Sequence, residues 1–364
     1  MVGVARRRLS RLIVSTVSLR NIRSYARLDL TLESGLVLVV GPNGAGKTNL
    51  LESLHVATQG FSPRTRADAQ LVRFGESSGR IALQGRRGES DIQLEVAVEV
   101  GEGKRAKVNG APLRAAEQLR SEVATLVFTP DRLSVVKGGP AVRRAYFDRA
   151  LGRLAPARAQ LSTEYAAAVA QRNASLRRVS GGFSSRDALA PWTEQVATLG
   201  RALVEARNEV IAALAPGFAE RAAELGLPVA RMTYEGEPPT VAALESRLER
   251  DLERGSTGIG PHRDDVVLTS GPRDLRSFGS QGEQRLTVLA LLLAEAQLIA
   301  ERRGYAPLLL LDDVLSELDP ARRRVLAERV QQAGQTLVTA TQASSLPLEP
   351  AQLLEVSPGL VQAA

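Results

Sequence analysis

The chain has 364 residues, 44% of them hydrophobic and 24% charged, which suits a packed globular protein of about two or three domains and excludes extensive disorder. It has no cysteine, which excludes disulfides, thiolate zinc sites and cysteine nucleophiles. The net charge of +7 admits a polyanionic partner, but only Lys47, Lys104, Lys107 and Lys137 of the 47 basic residues are lysines, a skew that codon usage would also produce.

Residues 1–13 carry Arg6, Arg7, Arg8 and Arg11 without the apolar stretch of a secretory signal, and read as a basic extension. No apolar run reaches the roughly 18–20 residues that span a bilayer, so a cytoplasmic chain is expected. Strands are predicted over 14–19 and 28–32. The turn between them, Asn21-Ile22-Arg23-Ser24-Tyr25, either brings Arg20, Asn21 or Arg23 near a ligand or is a solvated strand end.

A buried strand over 36–40 leads into Gly41-Pro42-Asn43-Gly44-Ala45-Gly46-Lys47-Thr48, and the run from Asn49 opens a helix. Strand, glycine-rich turn and helix start together wrap backbone N–H groups around phosphates and add the positive end of the helix dipole. Lys47 would reach the β- and γ-phosphates and the Thr48 hydroxyl would coordinate Mg²⁺. This is the pattern of a nucleoside triphosphate site. Arg64 and Arg66 follow in a polar loop, facing either phosphate or solvent.

Short alternating runs over 80–84, 92–100 and 105–110 predict an antiparallel meander with Asn109-Gly110 as a tight hairpin turn, and a further strand follows over 123–128. From Pro140 the apolar spacing becomes helical, with Leu161, Tyr165 and Val169 in one helix and Trp192 to Val210 in another. Eight arginines against Asp148 and Glu164 over 141–180 make either a DNA-facing surface or a solvated helix face. A helix over 240–254 and a strand over 266–268 come next. His55 and His262 read as structural, since neither has an identifiable acid–base partner.

Ser280-Gln281-Gly282-Glu283-Gln284-Arg285 precedes an apolar helix over 286–299 and offers a second anion cradle, although any capped helix begins in this way. The run 308–311 is a buried strand ending in Asp312 and Asp313. Asp312 is the expected magnesium ligand, and Asp313 the group that holds or deprotonates the attacking water. A last strand over 335–341 is expected to close the sheet.

These segments resemble the ATPase heads of the ABC superfamily, with Walker A at 41–48, a signature at 280–285, Walker B at 308–313 and a D-loop at 316–319. The resemblance implies an α/β fold, a mixed sheet with a P-loop core plus an antiparallel meander, interrupted by a helical lobe. On this reading the ATPase half covers 14–139, the lobe 140–255 and the returning half 256–364. ATP and Mg²⁺ are the implied cofactors. Gly41 to Asn49, Arg23, Ser280, Gln281 and Gly282 would hold nucleotide, Thr48 and Asp312 the metal, and Lys47, Asp313, Asp319 and, in trans, Ser280 would serve catalysis.

More narrowly, Asn21-Ile22-Arg23-Ser24-Tyr25, Thr129-Pro130-Asp131-Arg132-Leu133, Arg143-Arg144, Gly260-Pro261-His262-Arg263-Asp264 and the signature segment resemble the bacterial RecF recombination mediators, from about residue 14 to the end. That resemblance implies an ATP-dependent head-to-tail homodimer binding double-stranded DNA beside single-stranded gaps. With RecR and RecO it would help RecA replace single-strand-binding protein.

Departures from the superfamily pattern are Asp313 where many members have glutamate, Thr339-Ala340-Thr341-Gln342 where transporters place a histidine, and the lack of a placeable Q-loop glutamine. The first implies slow hydrolysis suited to a switch. A transporter nucleotide-binding subunit is the first alternative, disfavoured by the missing histidine. An SMC-type chromosome protein is disfavoured because 140–255 lacks sustained heptads. A small-molecule P-loop kinase would have no use for the signature segment.

Overall fold

The computed structural model of the protein describes residues 10–364. These divide into two compact units. One holds the chain up to Arg132 with Glu224–Gly226 and Leu289–Ala364; the other holds Leu133–Ala223 and Leu227–Val288. The last four residues of the expected basic extension, 10–13, belong to the first strand, and 1–9 lie outside the described residues. The second unit also takes in the signature segment, which the sequence alone assigns to the returning ATPase half. The cause is strand pairing: Asp265–Ser270 pairs antiparallel with Ala230–Glu235 and with Arg273–Asp274, forming a sheet of the second unit's own.

The first unit contains two sheets. In the P-loop sheet the order is Leu360–Ala363, Gln352–Ser357, Leu36–Val40, Thr336–Ala340, Leu308–Leu311, Thr125–Phe128, all parallel except the first. Every residue of the four strands from Leu36–Val40 to Thr125–Phe128 is buried, as expected for continuous β-branched and leucine runs in a parallel sheet covered on both faces. Residues 335–341 do not close this sheet. The two strands after it extend the sheet on the far side of Leu36–Val40, and their broken alternation, with Glu355 and Gln362 among the apolar residues, hides them in the sequence.

The second sheet carries the meander. Ser78–Arg87, Ser90–Glu99 and Gly103–Val108 pair antiparallel in succession, and Ser10–Ile22 pairs with Ser78–Arg87 and Tyr25–Thr31. Asn109 and Gly110 take φ of 49° and 81°, the two left-handed residues of a tight hairpin turn joining Gly103–Val108 to Ala111–Pro112.

In the second unit the helices Pro140–Leu154, Leu161–Ser180 and most of Ala190–Glu224 accompany the three-stranded sheet. The helix expected over 240–254 is two short pieces, Val241–Glu245 and Leu248–Arg254, the first capped by the Thr240 hydroxyl.

Candidate functional site

Three neighbouring buried strands, Leu36–Val40, Thr336–Ala340 and Leu308–Leu311, end side by side, Val40 opposite Ala340 and Leu311 opposite Val338. Parallel sheets bind ligands beyond such carboxyl ends. The P-loop leaves Val40 through Gly41, where a Cβ would stand 2.2 Å from the Val356 carbonyl oxygen, so no other residue fits. It enters the helix Lys47–Gln59 through Gly46, at φ 119°, with no side chain capping the helix. The first-turn N–H groups are therefore left for an outside acceptor, the arrangement that suits a phosphate.

Lys47 Nζ donates to the carbonyls of Gly41 (2.6 Å) and Pro42 (3.0 Å), holding the loop curled. Burial pulls the Lys47 ammonium below its ordinary pKa, while the charges of Asp312 and Asp313 pull it back up. Beneath the loop, Tyr25 donates to the Gly46 carbonyl at 3.1 Å. Burial pushes its pKa up to about 12, so it stays a donor at neutral pH.

Thr48 and Asp312 meet. The Thr48 hydroxyl lies 2.9 and 3.1 Å from the two carboxylate oxygens of Asp312, which is 7% exposed. Thr339 completes the junction: its hydroxyl donates to Asp312 Oδ1 at 2.8 Å and accepts the Asp313 N–H at 2.8 Å. Asp313 is exposed and sits at φ 50°, a left-handed backbone that a non-glycine residue adopts only when its surroundings hold it there. A threonine hydroxyl beside a buried carboxylate is a hard-oxygen pair that fits Mg²⁺. Thr339 was not among the sequence candidates. Its signal is its place on the strand between the two Walker strands.

Arg23 is placed differently from the expectation. Its guanidinium forms a two-pronged pair with Glu52, at 2.9 and 2.8 Å, on the P-loop helix. Glu52 is 2% exposed and also accepts from Ser62 (2.5 Å) and Arg64 (3.2 Å). Arg64 in turn donates to Asn49 Oδ1, whose amide donates to Ser24. Arg20 pairs with Asp29, and Asn21 donates to Glu76. Glu52 was missed, although it lies one helical turn after Thr48 and is the acid that both arginines lack in their own segments.

The signature segment lies in the second unit. Ser280 and Glu283 form a reciprocal capping box: the Ser280 N–H donates to Glu283 (2.8 Å), and the Glu283 N–H donates to the Ser280 hydroxyl (3.2 Å). These bonds and Arg273 hold the Glu283 carboxyl below its usual pKa. Ser280, Gln281 and Gly282 are all exposed. Asp319 caps the helix Pro320–Gln332 by accepting the Arg322 N–H at 2.9 Å. Both histidines have structural partners, His55 the Phe61 carbonyl and His262 the Tyr165 hydroxyl.

The arginines of 141–180 do not form one free face. Arg143 is 3% exposed and pairs with Asp265, and Arg172 is fully buried on Asp251. Arg144 donates to the Asp264 carbonyl, Arg158 pairs with Glu209 and Arg177 donates to the Gly255 carbonyl. The balancing acids come from distant sequence.

The family model described as RecF/RecN/SMC N terminal domain matches residues 13–357. The DNA replication and repair protein RecF of Heliobacterium modesticaldum is 36% identical over 342 residues, covering 90% of this chain and 92% of that protein. The RecF of Bacillus mycoides is 33% identical over 372 residues, covering 96% and 98%. The chain belongs to the RecF family. A solved RecF–ATP structure of the RecFOR pathway matches at TM-score 0.88 and 26% identity, covering 99% of each chain. The Smc head domain of Pyrococcus furiosus, at TM-score 0.60 and 16% identity over 97% and 96% of the chains, shares the fold. The RecF placement and the motifs agree on an ABC-type ATPase head of a DNA repair protein. Among the described residues no helix is long and apolar enough to cross a membrane.

Proposed function

We propose that this RecF-family chain is an ATP-gated DNA-binding switch of recombinational repair. The observation that carries the reading is the junction of Thr48, Asp312 and Thr339 beneath an uncapped P-loop helix. Lys47 and the loop N–H groups would hold the triphosphate of ATP, with Mg²⁺ between Thr48 and Asp312. Asp313 would position the attacking water. Its carboxylate is one methylene shorter than glutamate, which favours slow turnover, stimulated by DNA.

Ser280, with Gln281 and Gly282, would cap the nucleotide held by a second copy of the chain, and Asp319 would lie at the same dimer seam. Closure by ATP would build a surface for double-stranded DNA at the edge of single-stranded gaps, with mainly phosphate contacts and little sequence preference. RecR and RecO are the proposed partners, and loading of RecA in place of single-strand-binding protein the outcome. The RecFOR context of the related structures supports this assignment. Arg23 would join the nucleotide only by leaving Glu52.

Solution mass by light scattering tests the reading. Asp313→Asn is the background, because asparagine tolerates the left-handed backbone while losing the charge. Mg-ATP is expected to double the mass, and Ser280→Arg to prevent this while ATP still binds. A mass that never changes with ATP would overturn the dimer.

A further inference from the structure

The segment 257–265 is held far more tightly than a surface loop needs to be. Asn173 Oδ1 accepts the Thr257 N–H at 2.7 Å, and Asp251 Oδ1 accepts the Gly258 N–H at 3.0 Å. Arg207 donates to the Pro261 carbonyl at 2.7 Å, and Arg144 to the Asp264 carbonyl at 2.6 Å. Tyr234 donates to the Asp264 carboxylate at 2.6 Å. His262 donates through Nε2 to the Thr257 carbonyl (3.0 Å), since a carbonyl only accepts, and Nδ1 then accepts from Tyr165 at 2.7 Å. Gly260, at φ 119°, lets the turn pass where a Cβ would stand 2.4 Å from the Tyr165 hydroxyl oxygen.

These side chains come from four helices and a strand of one unit. Taking charged groups out of water to grip a loop carries a desolvation cost that apolar packing would avoid. What the arrangement provides is a fixed backbone. Polar networks of this kind are the usual support of a residue that must be presented in one place.

One side chain of the segment points out of it unused. Arg263 is exposed; its N–H closes the turn on the Gly260 carbonyl, and its guanidinium has no hydrogen-bond or ion-pair partner among the described residues. Its two chain neighbours are acids already engaged, Asp264 with Tyr234 and Asp265 with Arg143. Arg144 and Arg207 add further positive charge nearby, both acting on Asp264. Arg263 is therefore a surplus cation on a rigid mount.

We infer that Arg263 binds a phosphate oxyanion, and that the gripped loop 257–265 holds its guanidinium in position for this. The phosphate belongs to the backbone of duplex DNA or to nucleotide held by a second copy of the chain. The inference deepens the reading above and rests on it for these two sources.

The test uses the full chain with Arg263→Ala, Arg263→Lys and Tyr165→Phe. A fluorescent random-sequence duplex is titrated across a salt series, and mass with Mg-ATP is measured on the Asp313→Asn background. If DNA supplies the phosphate, Arg263→Ala lowers the slope of log affinity against log salt by about one, and Arg263→Lys restores it. If nucleotide supplies it, Arg263→Ala stops the mass from doubling while ATP still binds. Tyr165→Phe keeps the guanidinium but removes one of the two bonds that hold His262, and is expected to lose part of the same effect; if it loses none, the mount is wrong. Arg263→Ala behaving as wild type with both probes overturns the inference alone. A wild type that binds neither probe overturns the proposed function together with it.

Discussion

Thr339 does more for this site than its anonymity in the sequence suggests. One hydroxyl serves both Walker B carboxylate residues, donating to Asp312 and accepting the N–H of the left-handed Asp313. Thr339→Val keeps the shape and removes both bonds, leaving the buried Asp312 carboxylate with the Thr48 hydroxyl alone and the strained Asp313 N–H without a partner. Losing such a bond costs on the order of 1–2 kcal/mol, which at the transition state is about tenfold in rate. We expect single-turnover ATP hydrolysis to fall by about that factor with a smaller change in ATP affinity, and Thr339→Ser to behave as wild type. Thr339→Val hydrolysing at the wild-type rate would remove the residue from the mechanism. Lys47, Thr48 and Asp312 stand out in the sequence because each belongs to a short motif, and the fold brings Thr48 of one motif against Asp312 of the other. Thr339 does not, because its partners lie on another strand. Arg23 is the opposite case, its motif being visible in the sequence but its buried partner Glu52 not.

At the level of elements, apolar periodicity located the four fully buried parallel strands and the long helices, since burial on both faces or on one stripe leaves a strong pattern. It did not reveal strands such as Gln352–Ser357, whose pattern is short and interrupted by Glu355. Charge was the least legible property. The arginine-rich 141–180 stretch looks like a ligand face only while its acids are out of sight, and folding brings Asp251, Glu209 and Asp265 to it from distant segments. Arg172 and Arg177 separate the two interpretations. Arg172 is fully buried on Asp251, whereas Arg177 is exposed. Removing one partner of a buried pair costs roughly 3–5 kcal/mol, so Arg172→Ala should lower the urea midpoint strongly. Arg177→Ala should stay within about 0.5 kcal/mol of wild type, as a surface change does. Equal, small effects from both would show that the buried pair contributes little to the fold.

At the scale of the whole molecule, the helix Gln281–Arg303 begins in the unit that carries the signature and continues into the unit that carries the P-loop. The long interval between Walker A and the signature holds first the antiparallel meander of the first unit and then, from Leu133, most of the second unit with its own sheet. A site completed by a second copy makes nucleotide stabilisation depend on protein concentration, which a site complete in one chain does not. Ligand that binds only folded protein stabilises by RT ln(1 + [L]/Kd), about 2.7 kcal/mol at a hundredfold excess over Kd, whatever the protein concentration. Dimerisation adds a contribution that grows as protein is concentrated. On the Asp313→Asn background, the rise in Tm with saturating Mg-ATP should therefore shrink as the protein is diluted across a series. With Ser280→Arg a smaller rise should remain, constant along the same series, if Lys47, Thr48 and Asp312 hold the nucleotide as proposed. Thr48→Val in place of Ser280→Arg should diminish both contributions. A shift in Asp313→Asn with Ser280 intact that stays constant on dilution would mean that one chain completes the site, and Ser280 would then be a helix cap and nothing more.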